Sequence, residues 1–117
     1  MYKRPARLLV AARTDDGRAA TVARLARKHD LAQWLEIRTA ASMEHLHWDD
    51  LEWADLLVAV DGEAAGAVPV RRPDTCRVKR WHLPEAGSAS LEVAVASALG
   101  CMAGGMRMLA RVDADER

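Results

Sequence analysis

A chain of 117 residues is the size of a single domain, and with half its residues hydrophobic and 29% charged it has a globular balance, not a disordered one. Seventeen Lys and Arg cancel seventeen Asp and Glu, which argues against nucleic acid as a partner, because non-specific binding rests on uncompensated positive charge. The chain has no eighteen-residue apolar run, and Met1-Tyr2-Lys3-Arg4-Pro5 leads straight into a strand, so the expectation is a cytoplasmic protein with no membrane partner.

In chain order, Arg7 to Ala11 is a nearly continuous apolar run, the pattern of a strand covered on both faces. Thr14-Asp15-Asp16-Gly17 supplies a turn, in which Gly17 can take a positive φ and Asp15 or Asp16 can cap the next helix. In that helix, from Ala19 to His29, Val22, Leu25 and Ala26 form the inward face, with Arg24, Arg27 and Lys28 toward water. Leu35 to Thr39 alternates apolar and polar, as an edge strand does. Ser42 opens a helix running to about Glu52, which carries Leu46 and Leu51, with Trp53 adding a packing contact just beyond it. Ala54 to Val60 is the clearest buried strand and ends at Asp61-Gly62, where α/β proteins place site residues. Glu63 to Val68 allows one or two helical turns. Cys76 to Trp81 reads as a fourth strand with outward basic residues, at the other sheet edge. Ser88 or Ser90 caps a last helix in which Leu91, Val95, Ala98, Met102, Met106 and Leu109 recur at helical spacing. Gly104-Gly105 weakens that helix, and residues 112–117 form a charged tail expected to fray.

Strands alternating with helices predict an α/β fold: a single three-layer domain over 1–117, with a four-stranded parallel sheet in order 2-1-3-4 and helices on both faces. The two cysteines, Cys76 and Cys101, suggest no disulfide framework and read as buried, inert thiols.

The order of elements resembles the low-molecular-weight protein tyrosine phosphatases and the arsenate reductases built on the same fold. The family's first strand ends in a C-x-x-x-x-x-R loop followed by Ser-Pro, and the same frame here reads Ala12-Arg13-Thr14-Asp15-Asp16-Gly17-Arg18-Ala19-Ala20. Ile37-Arg38-Thr39-Ala40-Ala41 looks like the strand leading to the family's Ser-Ala-Gly, and Ala54-Asp55-Leu56-Leu57-Val58 like its Ala-Asp-Leu-Ile-Val strand. Trp81-His82-Leu83-Pro84-Glu85-Ala86 is similar to its W-x-L-P-D-P segment. The resemblance implies that Arg18 stands at the phosphate-binding arginine and Glu85 at the general acid. It also shows what is missing. Ala12 replaces the nucleophilic cysteine, Ala19 replaces the hydroxyl that assists it, and two aspartates stand inside the loop. That chemistry needs a thiolate, so neither phosphatase nor arsenate reductase activity is expected.

The candidate anion-binding residues are therefore Arg18, with Arg13, Thr14 and Gly17 of the same loop. The competing reading of Arg18 is a salt bridge to Asp15, Asp16 or Glu85 that holds the loop shut. Arg13 reads as solvent-exposed, Glu85 as a solvated loop carboxylate, and Asp55 as a structural partner. His45-Leu46-His47-Trp48-Asp49 does not align three ligands on one helix face, so no metal and no cofactor are expected. Trp48 and Trp53 do not share a helix face, which leaves one of them for a protein or ligand contact. Three functions fit: an inactive phosphatase-like module binding a small anion such as phosphate or sulfate, or a protein partner, in a regulatory role; an enzyme of another class acting on a small anion, with Glu85 or Asp15 as acid or base; or a structural homodimer or partner subunit.

Overall fold

The apolar run at Leu8-Leu9-Val10-Ala11 has no polar face to offer water, and it lies in the middle of the sheet. In the computed structural model, which describes residues 4–115 with side chains through residue 106, β1 (Ala6–Ala11) is flanked by β2 (Leu35–Thr39) and β3 (Leu56–Ala59). With β4 (Arg77–Arg80) outside β3, the order is β2-β1-β3-β4 and every pairing is parallel. The α/β class and strand order expected from the sequence are those observed. Leu8 through Ala11 and Leu57 through Val60 are at most 2% exposed, whereas all four residues of β4 face solvent. The alternating β2 and the basic β4 are thus the edges, where charged side chains also discourage pairing with another chain.

Helices cover both faces. The register sets Leu8 beside Ile37 and Leu56, so these share one face, and Leu9 and Leu57 share the other. α1 (Arg18–Lys28) and α4 (Leu91–Asp115) pack together over the Leu8 face. On the opposite face, α2 (Trp48–Trp53) brings Trp53 beneath the Arg38 guanidinium, 4.1 Å from the ring centre, and the short α3 (Gly62–Gly66) lies on β3. Val22, Leu25 and Ala26 of α1 are buried and Arg24, Arg27 and Lys28 exposed, as the spacing predicts. Asp30 ends α1 with φ 55, and Leu31 N–H donates back to Ala26 O at 3.1 Å.

Several local expectations change. The helix predicted from Ser42 to about Glu52 is two pieces, a 3-10 turn Met43–His45 and then α2, separated by extended Leu46 and His47. Ser42 Oγ pairs with His45 Nδ1, and the Asp50 carboxylate accepts from the His47 amide at 3.0 Å, which starts the second helix afresh. Met43 is fully buried, and its amide donates to Ala12 O at 2.8 Å, pinning the turn beside the loop after β1. α3 begins at Gly62 instead of Glu63 because Asp61 caps it, accepting from Ala64 N–H at 2.8 Å. The Ser88 and Ser90 hydroxyls bond each other at 2.9 Å just before α4. α4 continues through Gly104-Gly105 and on to Asp115, across positions where a frayed tail is expected; residues 116 and 117 lie outside the described residues, as do the Met108 and Leu109 side chains. Cys76 is buried, and that burial pushes its thiol pKa up, but Cys101 is exposed on α4, in place of the buried thiol expected from the sequence.

Candidate functional site

The loops leaving the C-terminal ends of the strands meet at Arg18. Asp16 bends the chain back onto itself: one carboxylate oxygen accepts from the Arg18 amide at 3.1 Å, the other from Arg18 Nε at 2.8 Å. Gly17 caps α1 with φ 91, a left-handed conformation that glycine adopts without strain, and this turn delivers Arg18 inward as the first residue of α1. The side chain is 9% exposed. It crosses to the loop after β3, where Nη2 donates to Asp61 Oδ2 at 2.6 Å, and Nη1 reaches Leu83 O and Pro84 O in the loop after β4, at 3.4 Å each. Three separate loops are therefore tied by one guanidinium.

The electrostatics follow from burial and pairing. Burial disfavours the charge on Arg18, and the Asp61 and Asp16 carboxylates more than restore it. Burial likewise opposes the ionised form of Asp61, but the Ala64 amide and the Arg18 guanidinium outweigh it and hold the carboxyl below its ordinary range. A carboxylate held that way is a poor general base near neutral pH. Because the folded state lowers this pKa, the stabilisation is complete above the ordinary carboxylate range near pH ~4 and is lost as pH falls below it. The urea midpoint is expected to fall between pH 5 and pH 3, and Asp61→Asn to flatten that dependence. An unchanged slope in Asp61→Asn removes Asp61 from the acid response.

The residues singled out from the sequence end up in different places. Arg13 is exposed and pairs with Glu44 at 3.1 Å. Thr14 is exposed, and Gly17 serves the helix start. Ala12 and Ala19, 3% and 5% exposed, line the base of the loop with methyl groups. Glu85 is exposed, and Arg18 pairs not with it but with Asp16 and Asp61. Asp55 grips Arg4 at 2.6 and 2.8 Å and accepts from the Arg7 amide, a latch between β1 and β3. That arginine bond, against the opposing effect of burial, lowers its pKa. His45 bonds Ser42, and His47 begins α2; among the described residues no three His, Cys, Asp or Glu side chains are grouped to hold a metal. Trp48 is the exposed tryptophan of its pair, at 48%, and Trp53 is half-buried. No helix among the described residues is long and apolar enough to cross a membrane.

Asp61 is the site residue that sequence reasoning does not connect to Arg18. A signal exists. In strand order 2-1-3-4, the residue following β3 must stand next to the loop following β1, so an acid at 61 is the natural neighbour of an arginine at 18. The Leu83 and Pro84 carbonyls carry no such signal, since any residue has one.

No family model matches the chain, and none of the curated proteins matches it. Among solved structures it is similar to YfkJ from Bacillus subtilis, at 14% identity and a TM-score of 0.52, with all of both chains covered. At that identity the likeness shows the fold, a low-molecular-weight phosphotyrosine phosphatase-like α/β structure.

Proposed function

We propose that this chain is a catalytically inactive phosphatase-like domain whose anion cradle is occupied by its own carboxylates, and that it works as a binding or regulatory module. The observation that carries the reading is the state of Arg18: buried, and held by Asp16 at 2.8 Å and Asp61 at 2.6 Å, above a loop that begins at Ala12. In a phosphatase of this fold the arginine must meet the substrate oxyanion while a thiolate attacks phosphorus. Ala12 offers no attacking atom, and the oxygens facing Arg18 already belong to the protein. A small dianion would have to displace one aspartate and endure the other. Of the two binding roles expected from the sequence, a protein partner therefore fits better than phosphate or sulfate, and Trp48, 48% exposed, is a contact residue of the kind interfaces favour.

Hydrolysis of p-nitrophenyl phosphate in metal-free buffer is the direct test. No turnover above buffer is expected from the natural chain, and none from Ala12→Cys, because a thiol alone leaves Arg18 tied. Turnover by the natural chain that vanishes in Arg18→Ala overturns the proposal. Inorganic phosphate should bind Asp16→Ala more tightly than the natural chain by about tenfold, the worth of one charge-assisted hydrogen bond returned to the ligand. Equal binding by both would mean that Asp16 does not occlude the cradle.

A further inference from the structure

Two cavities lie along α4 and adjoin at shared lining residues. The first, about 550 Å³, lies between α4 and the end of β4, with Lys79, Trp81 and His82 on one wall and Ser97 on the other. The second, about 460 Å³, runs beneath the far half of α4 toward the beginnings of the strands, over Leu8, Leu35 and Leu56. Cys101 and Met102 line both, so together they make one trough with a polar end and an apolar end.

Three observations describe what fits it. The apolar end is a groove with an apolar lining, in which Leu8 and Leu35 are only 1% and 3% exposed and Leu56, Met102 and Met106 are half-buried. An extended alkyl chain laid along it would cover the half-buried Leu56, Met102 and Met106. The polar end has an uncommitted cation. Lys79 makes no ion pair among the described residues, and it points to the α4 face because it shares register with Val58. The neighbouring Arg80 also lines this end, with its guanidinium over Gly62. Finally, Gly105 lines the apolar end, and a Cβ there would meet nothing within 4 Å, so a larger side chain can be introduced at this point of the lining.

We propose that this trough binds an unbranched long-chain carboxylate, with its head beside Lys79 and His82 and its tail running past Cys101 and Met102 toward Met106. An anionic head matches the wet end, which Lys79 and Arg80 both line. The tail removes apolar wall and apolar chain from water together, which is the largest source of affinity such a site can have.

Sodium dodecanoate, titrated below its micelle concentration and followed by the fluorescence of the chain's tryptophans and by calorimetry, tests this directly. Saturable one-to-one binding is expected, tightening by about tenfold for each two methylenes added from octanoate to dodecanoate. Lys79→Glu and the neutral probe dodecanol should each weaken binding by about tenfold. Gly105→Leu fills the groove while improving helix propensity, so its loss of binding is not a loss of folding. Bound dodecanoate should also slow alkylation of exposed Cys101, with buried Cys76 as the internal control. Absence of saturable binding, equal affinity for dodecanol, or binding unaffected by Gly105→Leu overturns the proposal. So does a dimer in light scattering that Gly105→Leu dissociates, since the trough would then be filled by a second copy of the chain.

Discussion

Arg18→Ala is expected to lower the free energy of unfolding by about 2–3 kcal/mol in urea denaturation at neutral pH, a large share of the stability of a domain this size. The cost comes mostly from what remains behind. Asp61 and Asp16, whose side chains are 24% and 31% exposed, lose the guanidinium that offsets their partial burial, and the carbonyls of Leu83 and Pro84 lose a donor. The remaining solvent access keeps the loss below that of a fully buried pair. A cycle of Arg18→Ala, Asp61→Ala and the double variant should give a coupling of about 1–2 kcal/mol, because the two residues share one short contact. A loss under about 0.5 kcal/mol from Arg18→Ala would mean that the three loops hold their places without the clamp, and the occupied-cradle reading of the site would lose its main support.

Leu57→Ala should cost more, about 3 kcal/mol, measured in the same way. Leu57 is fully buried on β3, paired in register with Leu9 on one side and Val78 on the other. It lies beneath the thinner cover of the fold, where α2 and α3 have only six and five residues. Short helices anchored at their ends by Asp50 and Asp61 cannot slide far to fill a void, so most of the cavity should persist. Val78→Ala, 39% exposed on the edge strand, is the control and should cost under about 1 kcal/mol. Similar losses at both positions would place the hydrophobic core elsewhere than the centre of this sheet.

A phosphatase-like cradle needs an arginine that is positioned but free, and positioning usually comes from neighbours that do not compete with the ligand. Here the neighbours are carboxylates. Arg18 binds two carboxylates of the chain itself, and it thereby joins the loops that follow β1, β3 and β4. Ala12 and Ala19 are buried and contribute only methyl groups, so in the proposed reading this junction supplies stability and not reactivity.

Much of the architecture is legible in local patterns, because period-two and period-3.6 spacing and continuous apolar runs report burial directly. Arg7 to Ala11 and Ala54 to Val60 identify the inner strands, the alternation at Leu35 to Thr39 and the basic residues at Arg77 to Arg80 identify the edges, and helical spacing gives the inward face of α1. The split between Met43–His45 and α2 is not legible, since it depends on Ser42 pairing with His45 and on Met43 docking against Ala12 across the sheet. Nor is the exposure of Cys101, because helical spacing places it near the core-facing stripe and only the open trough beside α4 leaves it in solvent.

At the loop after β1, the sequence alone determined that residue 12 is an alanine with no thiol, which the proposed reading, resting on the resemblance to the phosphatase loop, takes as the missing attacking atom. It also limited Arg18 to two fates, holding an anion or being neutralised by nearby acids. Only the tertiary structure decided which carboxylates face it. Asp16 reaches it through a turn of two residues, but Asp61 is 43 residues away and arrives because β3 lies beside β1. Contacts between neighbouring strands are set by sheet order, and a single chain's local spacing holds no record of that distance.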